Sequence, residues 1–281
     1  GLGTPLIEPT PLGDALGLPH EKKRDRYAFA HFFRVREELQ RMAADFEKLP
    51  GNKRTATHRQ VINLARNVVL DAELPVEVPA TTIDFQCGSS QQALHLAAGM
   101  IASGQAEIIV AGGVEHMTRV PMGSSTQGAQ PFTDRIMANH NIVPQGVAAD
   151  EIAQQWDLPR ERLDAIGYES HVRAAQASEN GVFTQEIVPV EGVDEAGNSI
   201  TVERDQGIRP GVSLEKMASL DPVFSAGGVT TAGNSSQISD GAAAMVVMKA
   251  SKAREIGIEP RARIVSMTTV GSDPHLMLTG P

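Results

Sequence analysis

The sequence predicts an α/β fold. Three observations carry that expectation: a β-branched run at residues 81–84, a helical apolar repeat directly after it, and a short Ile/Val run at 107–111 closed by Gly112 and Gly113. Strand, helix and strand in that order make a βαβ unit, whose right-handed crossover implies a parallel pair.

Taken in chain order, residues 25–49 place Phe29, Phe33, Val35, Leu39, Met42 and Phe46 at near-helical intervals, and Pro50 with Gly51 ends that helix. A second helix is expected over 58–72, with Val61, Leu64, Ala65 and Val68 on one side. After Cys87, Gly88, Ser89 and Ser90, the positions Ala93, Leu96, Ala97, Met100 and Ile101 follow the spacing of a buried helix face, and Gly104 closes it. The run at 107–111 then suits a strand covered on both faces.

From about Val114 to Leu220 the pattern changes. Residues 144–156 and 159–180 predict helices, the second opening on Pro159 and stopping at Gly181. Two β-prone runs, 186–190 and 199–203, flank a turn-forming stretch at 194–198. The whole segment reads as an inserted subdomain. A run of Gly, Thr, Ala, Ser and Asn at 227–236 follows, then a turn at Asp240 and Gly241, a strand at 242–248, a helix at 251–256 and a strand at 262–270. There is no internal repeat.

Composition narrows the classes of function. The chain has 281 residues, 41% apolar and 21% charged, which suits a globular protein with a sizeable core. Its apolar runs fall far short of the roughly 18 residues of a membrane helix, so no span is expected. A net charge of −9 argues against nucleic acid as the main partner. A single cysteine precludes an internal disulfide framework, and with no legible secretory leader a cytoplasmic location is the expectation. Residues 1–60 stand apart, with 11 Lys or Arg against 8 Asp or Glu and five of the eleven aromatics, while the remainder has 14 against 26.

Cys87 ends a predicted strand and precedes a helix whose first turn holds Ser89 and Ser90. A helix N-terminus stabilises thiolate, the nucleophilic form of a cysteine, and nearby free N–H groups suit an oxyanion. The same placement also suits an inert buried cysteine that packs as a small apolar residue, and spacing alone leaves both open. The segment Thr231-Ala232-Gly233-Asn234-Ser235-Ser236-Gln237 exposes backbone and little bulk. It suits either close approach to a nucleotide or pantetheine-like arm, or a tight packing loop at a helix start with Asn234 or Ser235 as its cap. Arg209 offers positive charge to a phosphate or is solvated surface. None of the eight histidines forms a metal-ligand cluster, so no metal is expected. His95 reads as a packing or surface residue, and His275 as a loop residue or one that flanks a site.

Three ordered motifs carry a family likeness. Ile83-Asp84-Phe85-Gln86-Cys87-Gly88-Ser89-Ser90-Gln91-Gln92-Ala93, Ala111-Gly112-Gly113-Val114-Glu115-His116-Met117 and Thr231-Ala232-Gly233-Asn234-Ser235-Ser236-Gln237-Ile238-Ser239-Asp240-Gly241-Ala242 together resemble the thiolase family, from about Leu64 to Pro281. The flavour is nearest to degradative 3-ketoacyl-CoA thiolases, with acetyl-CoA acetyltransferases in the same family.

The resemblance implies thiolase-like αβαβα layers, of which this chain would carry the N-terminal half with an inserted loop domain, the C-terminal half being absent. On that expectation residues 1–58 are an atypical N-terminal segment, 59–114 and 221–281 the α/β domain, and 115–220 the loop domain. It further implies that Cys87 accepts the acyl group of a 3-ketoacyl-CoA, releases acetyl-CoA and passes the acyl group to a fresh CoA. Arg209 matches a contact to the CoA nucleotide end, Ala232 a backbone position near the adenine, and Ser236 a hydroxyl on the pantetheine. Coenzyme A would be a substrate, with no cofactor bound permanently, and the partners would be acyl-CoA and a second copy of the chain, with no nucleic acid and no membrane.

The family's other catalytic groups are an activating histidine in a Gly-His-Pro motif and a second cysteine in a Cys-x-Gly motif. Neither motif occurs here. Claisen cleavage moves protons at both the nucleophile and the leaving carbanion. The rival reading is therefore a catalytically incomplete thiolase-like protein that binds CoA or a partner subunit supplying the missing half.

Overall fold

The computed structural model describes residues 63–118, 120–126, 129–194, 196–209 and 211–281. The helix expected at 25–49, the start of the one expected at 58–72 and the segment 1–58 lie outside the described residues.

The described residues divide into two compact units, one holding 63–122, 190–200 and 240–267 and the other 123–189, 201–239 and 268–281. In the first unit, helix α1 (Leu64–Asp71) starts at Asn63, whose side chain accepts the N–H of Arg66 at 3.2 Å and satisfies one of the donors a helix start leaves open. Val68 and Val69 of α1 pack with Ala72 and Leu74, and Val78, Ala80, Ala242 and Ala244 lie against this cluster. Each large side chain so buried contributes about 1.5–3 kcal/mol.

Helix α2 (Ser89–Ala102) follows Gly88, and its partner is strand β1 (Ile108–His116). The ladder differs from the βαβ expectation in three ways. First, β1 runs on through Gly112 and Gly113 rather than stopping at them. It pairs antiparallel with β4 (Asp240–Met248), in register from Ile108 opposite Met248 to His116 opposite Asp240. Gly113 is where α2 presses on the strand: a Cβ there would overlap the Ser90 Oγ, so the hydroxyl would have to turn away to admit any larger residue.

Second, residues 81–84 join no ladder. Their neighbourhood is tied to α1 by side chains instead. Arg66 donates to the Val78 and Val76 carbonyls at 2.6 and 2.7 Å, Asn63 Nδ2 to the Ala80 carbonyl at 2.6 Å, and the Thr82 hydroxyl accepts the Ala65 N–H at 2.9 Å. The expected parallel pair does not form. Third, residues 262–270 adopt no regular structure and Val265 is 80% exposed, while Asp240 and Gly241 begin β4 instead of forming a turn. A strand needs a neighbour to complete its hydrogen bonds. Helix α7 (Ala250–Glu255) closes the β4 segment.

The second unit is mainly helical. It contains α3 (Asp134–His140), α4 (Gln145–Gln155), α5 (Arg160–Glu179) and α6 (Leu214–Ala218). α5 starts after Pro159 and ends at Asn180 before Gly181 at φ +68°, as the proline and glycine predict. In the first unit, which holds residues 190–200, the turn-forming stretch at 194–198 joins β2 (Val190–Val193) to the start of β3 (Ser199–Val202), and the Asp194 carboxylate accepts from the Asn198 N–H at 2.8 Å. Asn198 holds the Asp194 carboxyl below the usual carboxylate range. Among the described residues no helix is long and apolar enough to cross a membrane.

Candidate active site

Cys87 belongs to the first unit and is exposed, which sets aside the inert buried reading. Its turn is built from short polar contacts. The Phe85 N–H donates to Ser89 Oγ at 2.8 Å, Ser89 Oγ donates to the Gln86 carbonyl at 2.6 Å, and the Gln86 N–H donates to Asp84 Oδ1 at 2.9 Å. Gln86 sits at φ +51°, a left-handed conformation that costs a non-glycine residue on the order of 1–3 kcal/mol and is held by these contacts. The chain thus makes a sharp corner one residue before the cysteine, with α2 starting two residues after it.

At the far end of β1, His116 Nδ1 lies 3.3 Å from Asp240 Oδ2, while Asp240 Oδ1 accepts the Thr118 N–H at 2.9 Å. These contacts close the ladder where the second and third motifs meet in register.

The other three expected site residues lie in the second unit, around a cavity of about 720 Å³. Ala149, Ile152 and Ala153 of α4, with Leu163, Ile166 and Ala174 of α5, give it an apolar side. Ser170, His171 and the loop residues Asn234, Ser235, Ser236 and Gln237 give it a polar one. Ser236 is in the wall and exposed. Ala232 is next to the lining residue Gly233, and Arg209 next to the lining residue Ile208, with its backbone N–H 3.4 Å from His171 Nδ1. The Oγ of Ser235 is buried in this wall and makes no hydrogen bond among the described residues.

Two aspartates hold the loop in place, one buried and one half-buried. Asp164 of α5 is 3% exposed; it accepts Arg160 Nε at 2.7 Å on one oxygen and Asn234 Nδ2 at 2.9 Å on the other. Asn234 also donates to the Val229 carbonyl at 2.9 Å and accepts the Thr231 N–H at 2.8 Å, so one side chain braces the loop on itself and on α5. Asp150 of α4 accepts the N–H groups of Val229 and Thr230 at 3.0 and 2.9 Å. Burial pushes the Asp150 carboxyl up, but hydrogen bonds from Thr230, Ser225 and Val229 outweigh it and hold the group below its ordinary value. The loop reaches α5 because residue 167 is glycine: a Cβ there would meet the Gly233 carbonyl oxygen at 2.6 Å.

Asn234 braces the loop and Ser235 lies in the wall, but no helix starts there for either to cap, because the chain runs on into β4; Ser236 is in the cavity wall. His171, Asp150 and Asp164 escape a sequence reading because a lone polar residue on a helix gives no sign of facing inward. Among the described residues no group of three or more His, Cys, Asp or Glu is placed to hold a metal ion.

The fold is mixed α/β, with a cysteine at a sharp corner before a helix in one unit and a half-apolar cavity under a small-residue loop in the other. Residues 49–251 match the family model of the thiolase N-terminal domain. The chain is 44% identical over 226 residues to a 3-ketoacyl-CoA thiolase of Escherichia fergusonii, which covers 80% of this chain and 58% of that relative. It is 40% identical over 275 residues to a 3-ketoacyl-CoA thiolase of Cronobacter sakazakii and 39% identical to one of Salmonella choleraesuis, each covering 97% of this chain and 70% of the relative. The chain belongs to the thiolase family. It spans between about half and two thirds of the length of these relatives.

Proposed function

We propose that this chain carries the nucleophile and the coenzyme A site of a 3-ketoacyl-CoA thiolase. The observation that carries the reading is the exposure of Cys87 at a strained corner before α2, in a chain 40–44% identical to proteins of that name. In this reading the Cys87 thiolate attacks the keto carbon of a 3-ketoacyl-CoA. The bond between the two carbonyl-bearing fragments breaks, its electron pair leaves as the enolate of acetyl-CoA and is protonated, and the acyl group stays on Sγ as a thioester. The thiol of a second CoA then takes the acyl group and the cysteine is restored, or the steps run in reverse as a condensation.

The cavity supports the binding half of the proposal. Its apolar side suits a pantetheine arm and Ser236 in its wall can offer that arm a hydroxyl. In this reading the backbone at Ala232 runs by the adenine and Arg209 meets phosphate. No cofactor is held permanently. Proton transfer at the leaving carbanion needs an acid and base beyond Cys87, so we further propose that a C-terminal half or partner subunit supplies them and that the protein works as a homo-oligomer in the cytoplasm.

Titration calorimetry of the purified chain with CoA tests the binding half. The expected result is a saturable isotherm that weakens in Ser236→Ala. Absence of binding by the wild-type chain would defeat the coenzyme A reading. Binding without any reaction at Cys87 would favour the rival, a CoA-binding or subunit-pairing protein that is not itself catalytic.

A further inference from the structure

His275 lies in the segment that brings Leu278 into the wall of the cavity, within the second unit. That segment has no regular secondary structure. It is shaped by Asp273, whose Oδ1 accepts the N–H groups of His275 and Leu276 at 2.7 and 3.0 Å and whose carbonyl accepts that of Met277 at 2.8 Å. The imidazole ties it to the helices. Nδ1 is 2.7 Å from the Asn141 carbonyl oxygen, and Nε2 is bonded to the Glu151 carboxylate of α4.

Both ring nitrogens thus face acceptors. A neutral imidazole has a single N–H and satisfies one of them; an imidazolium satisfies both. The Asn141 Nδ2 is also 3.3 Å from Nδ1, a longer contact than that to the carbonyl. Asn141 caps the C-terminus of α3 in the left-handed conformation, where the helix end carries partial negative charge and favours a cation. The charged groups around the ring are Glu151 from α4, Asp273 on its own segment and, through Asp273, His140 at the end of α3.

We infer that His275 is a cationic latch: as imidazolium it ties the 273–278 segment to Asn141 and Glu151, and so positions Leu278 as part of the cavity wall. Loss of one proton removes one of the two bonds and loosens that wall. His275 is a positioning residue, and the inference rests on the coenzyme A reading only where it concerns ligand affinity. The hydrogen bonds to Asn141 and Glu151 raise its pKa above the ordinary 6.5, so the latch stays closed to a higher pH than a free imidazole would keep its proton, and opens as pH rises through the raised value.

The test is NMR of the whole chain, following the His275 ring and the Leu278 methyl signals with pH. The expected result is one shared midpoint above 6.5, a Leu278 response abolished in His275→Gln, and a His275 midpoint moved down in Glu151→Gln. Overturning results are a Leu278 signal that ignores the His275 titration, or a response that persists in His275→Gln. A second arm measures CoA affinity between pH 6 and 9. The wild type should weaken on the order of tenfold relative to His275→Gln as the latch opens, and the difference between the proteins cancels titration of the CoA phosphates. Failure of CoA to bind at all would remove the coenzyme A reading and leave the Leu278 measurement to decide the latch.

Discussion

Asn234 Nδ2 donates to Asp164 Oδ1 at 2.9 Å, joining the small-residue loop to a carboxylate buried on α5. Because the other Asp164 oxygen is bonded to Arg160, truncation leaves both an amide and a guanidinium short of a partner. Asp164→Ala should destabilise the chain by about 3 kcal/mol, read from urea unfolding. A loss below about 0.5 kcal/mol, the level of an ordinary surface substitution, would show that the loop is braced elsewhere.

Asp150 gives a pH dependence of opposite sense to that of His275. Its pKa is lowered below 3.8 in the fold, so its contribution is present above 3.8 and is lost as pH falls through the lower native value. The stability gap between wild type and Asp150→Asn should therefore be widest near pH 6 and close in acid. A gap that stays constant down to about pH 2 would contradict the assignment.

The contact between Gly113 and Ser90 is testable beside the cysteine turn. Gly113→Ala pushes a methyl group into the Ser90 hydroxyl and should cost about 1–3 kcal/mol. Adding Ser90→Gly should recover part of that loss, a coupling that a double-mutant cycle measures directly. Simple additivity would mean that α2 and β1 do not meet as described.

Local chemistry was readable in the sequence and long-range pairing was not. Pro159 and Gly181 mark the ends of α5 because a missing N–H and a left-handed residue act where they stand. The antiparallel partner of β1 is not legible in the sequence because β4 begins more than a hundred residues later, and an Ile/Val run carries no information on whether its neighbour is parallel or antiparallel. The runs at 81–84 and 262–270 have strand composition but no ladder partner. At the candidate site, Cys87 and Ser236 stand out through their motifs. The aspartates that shape the loop act through folded contacts between residues 70 to 80 positions apart.

Arg209 separates charge from packing in the proposed binding site. It is exposed, so Arg209→Ala should leave the unfolding midpoint within the range of surface substitutions. CoA affinity should fall on the order of tenfold, from loss of a charge-assisted contact to phosphate. Calorimetry with CoA and with its form lacking the 3′-phosphate reads this, and equal affinities for wild type and variant would exclude Arg209 from the site.

The nucleophile is the centre of the account, and peptide mass spectrometry after incubation with a 3-ketoacyl-CoA or acetyl-CoA tests it most directly. The account predicts an acyl group on the peptide containing Cys87, removable by hydroxylamine as a thioester is and absent in Cys87→Ala. An unmodified Cys87 in a chain that is folded and binds CoA would contradict it.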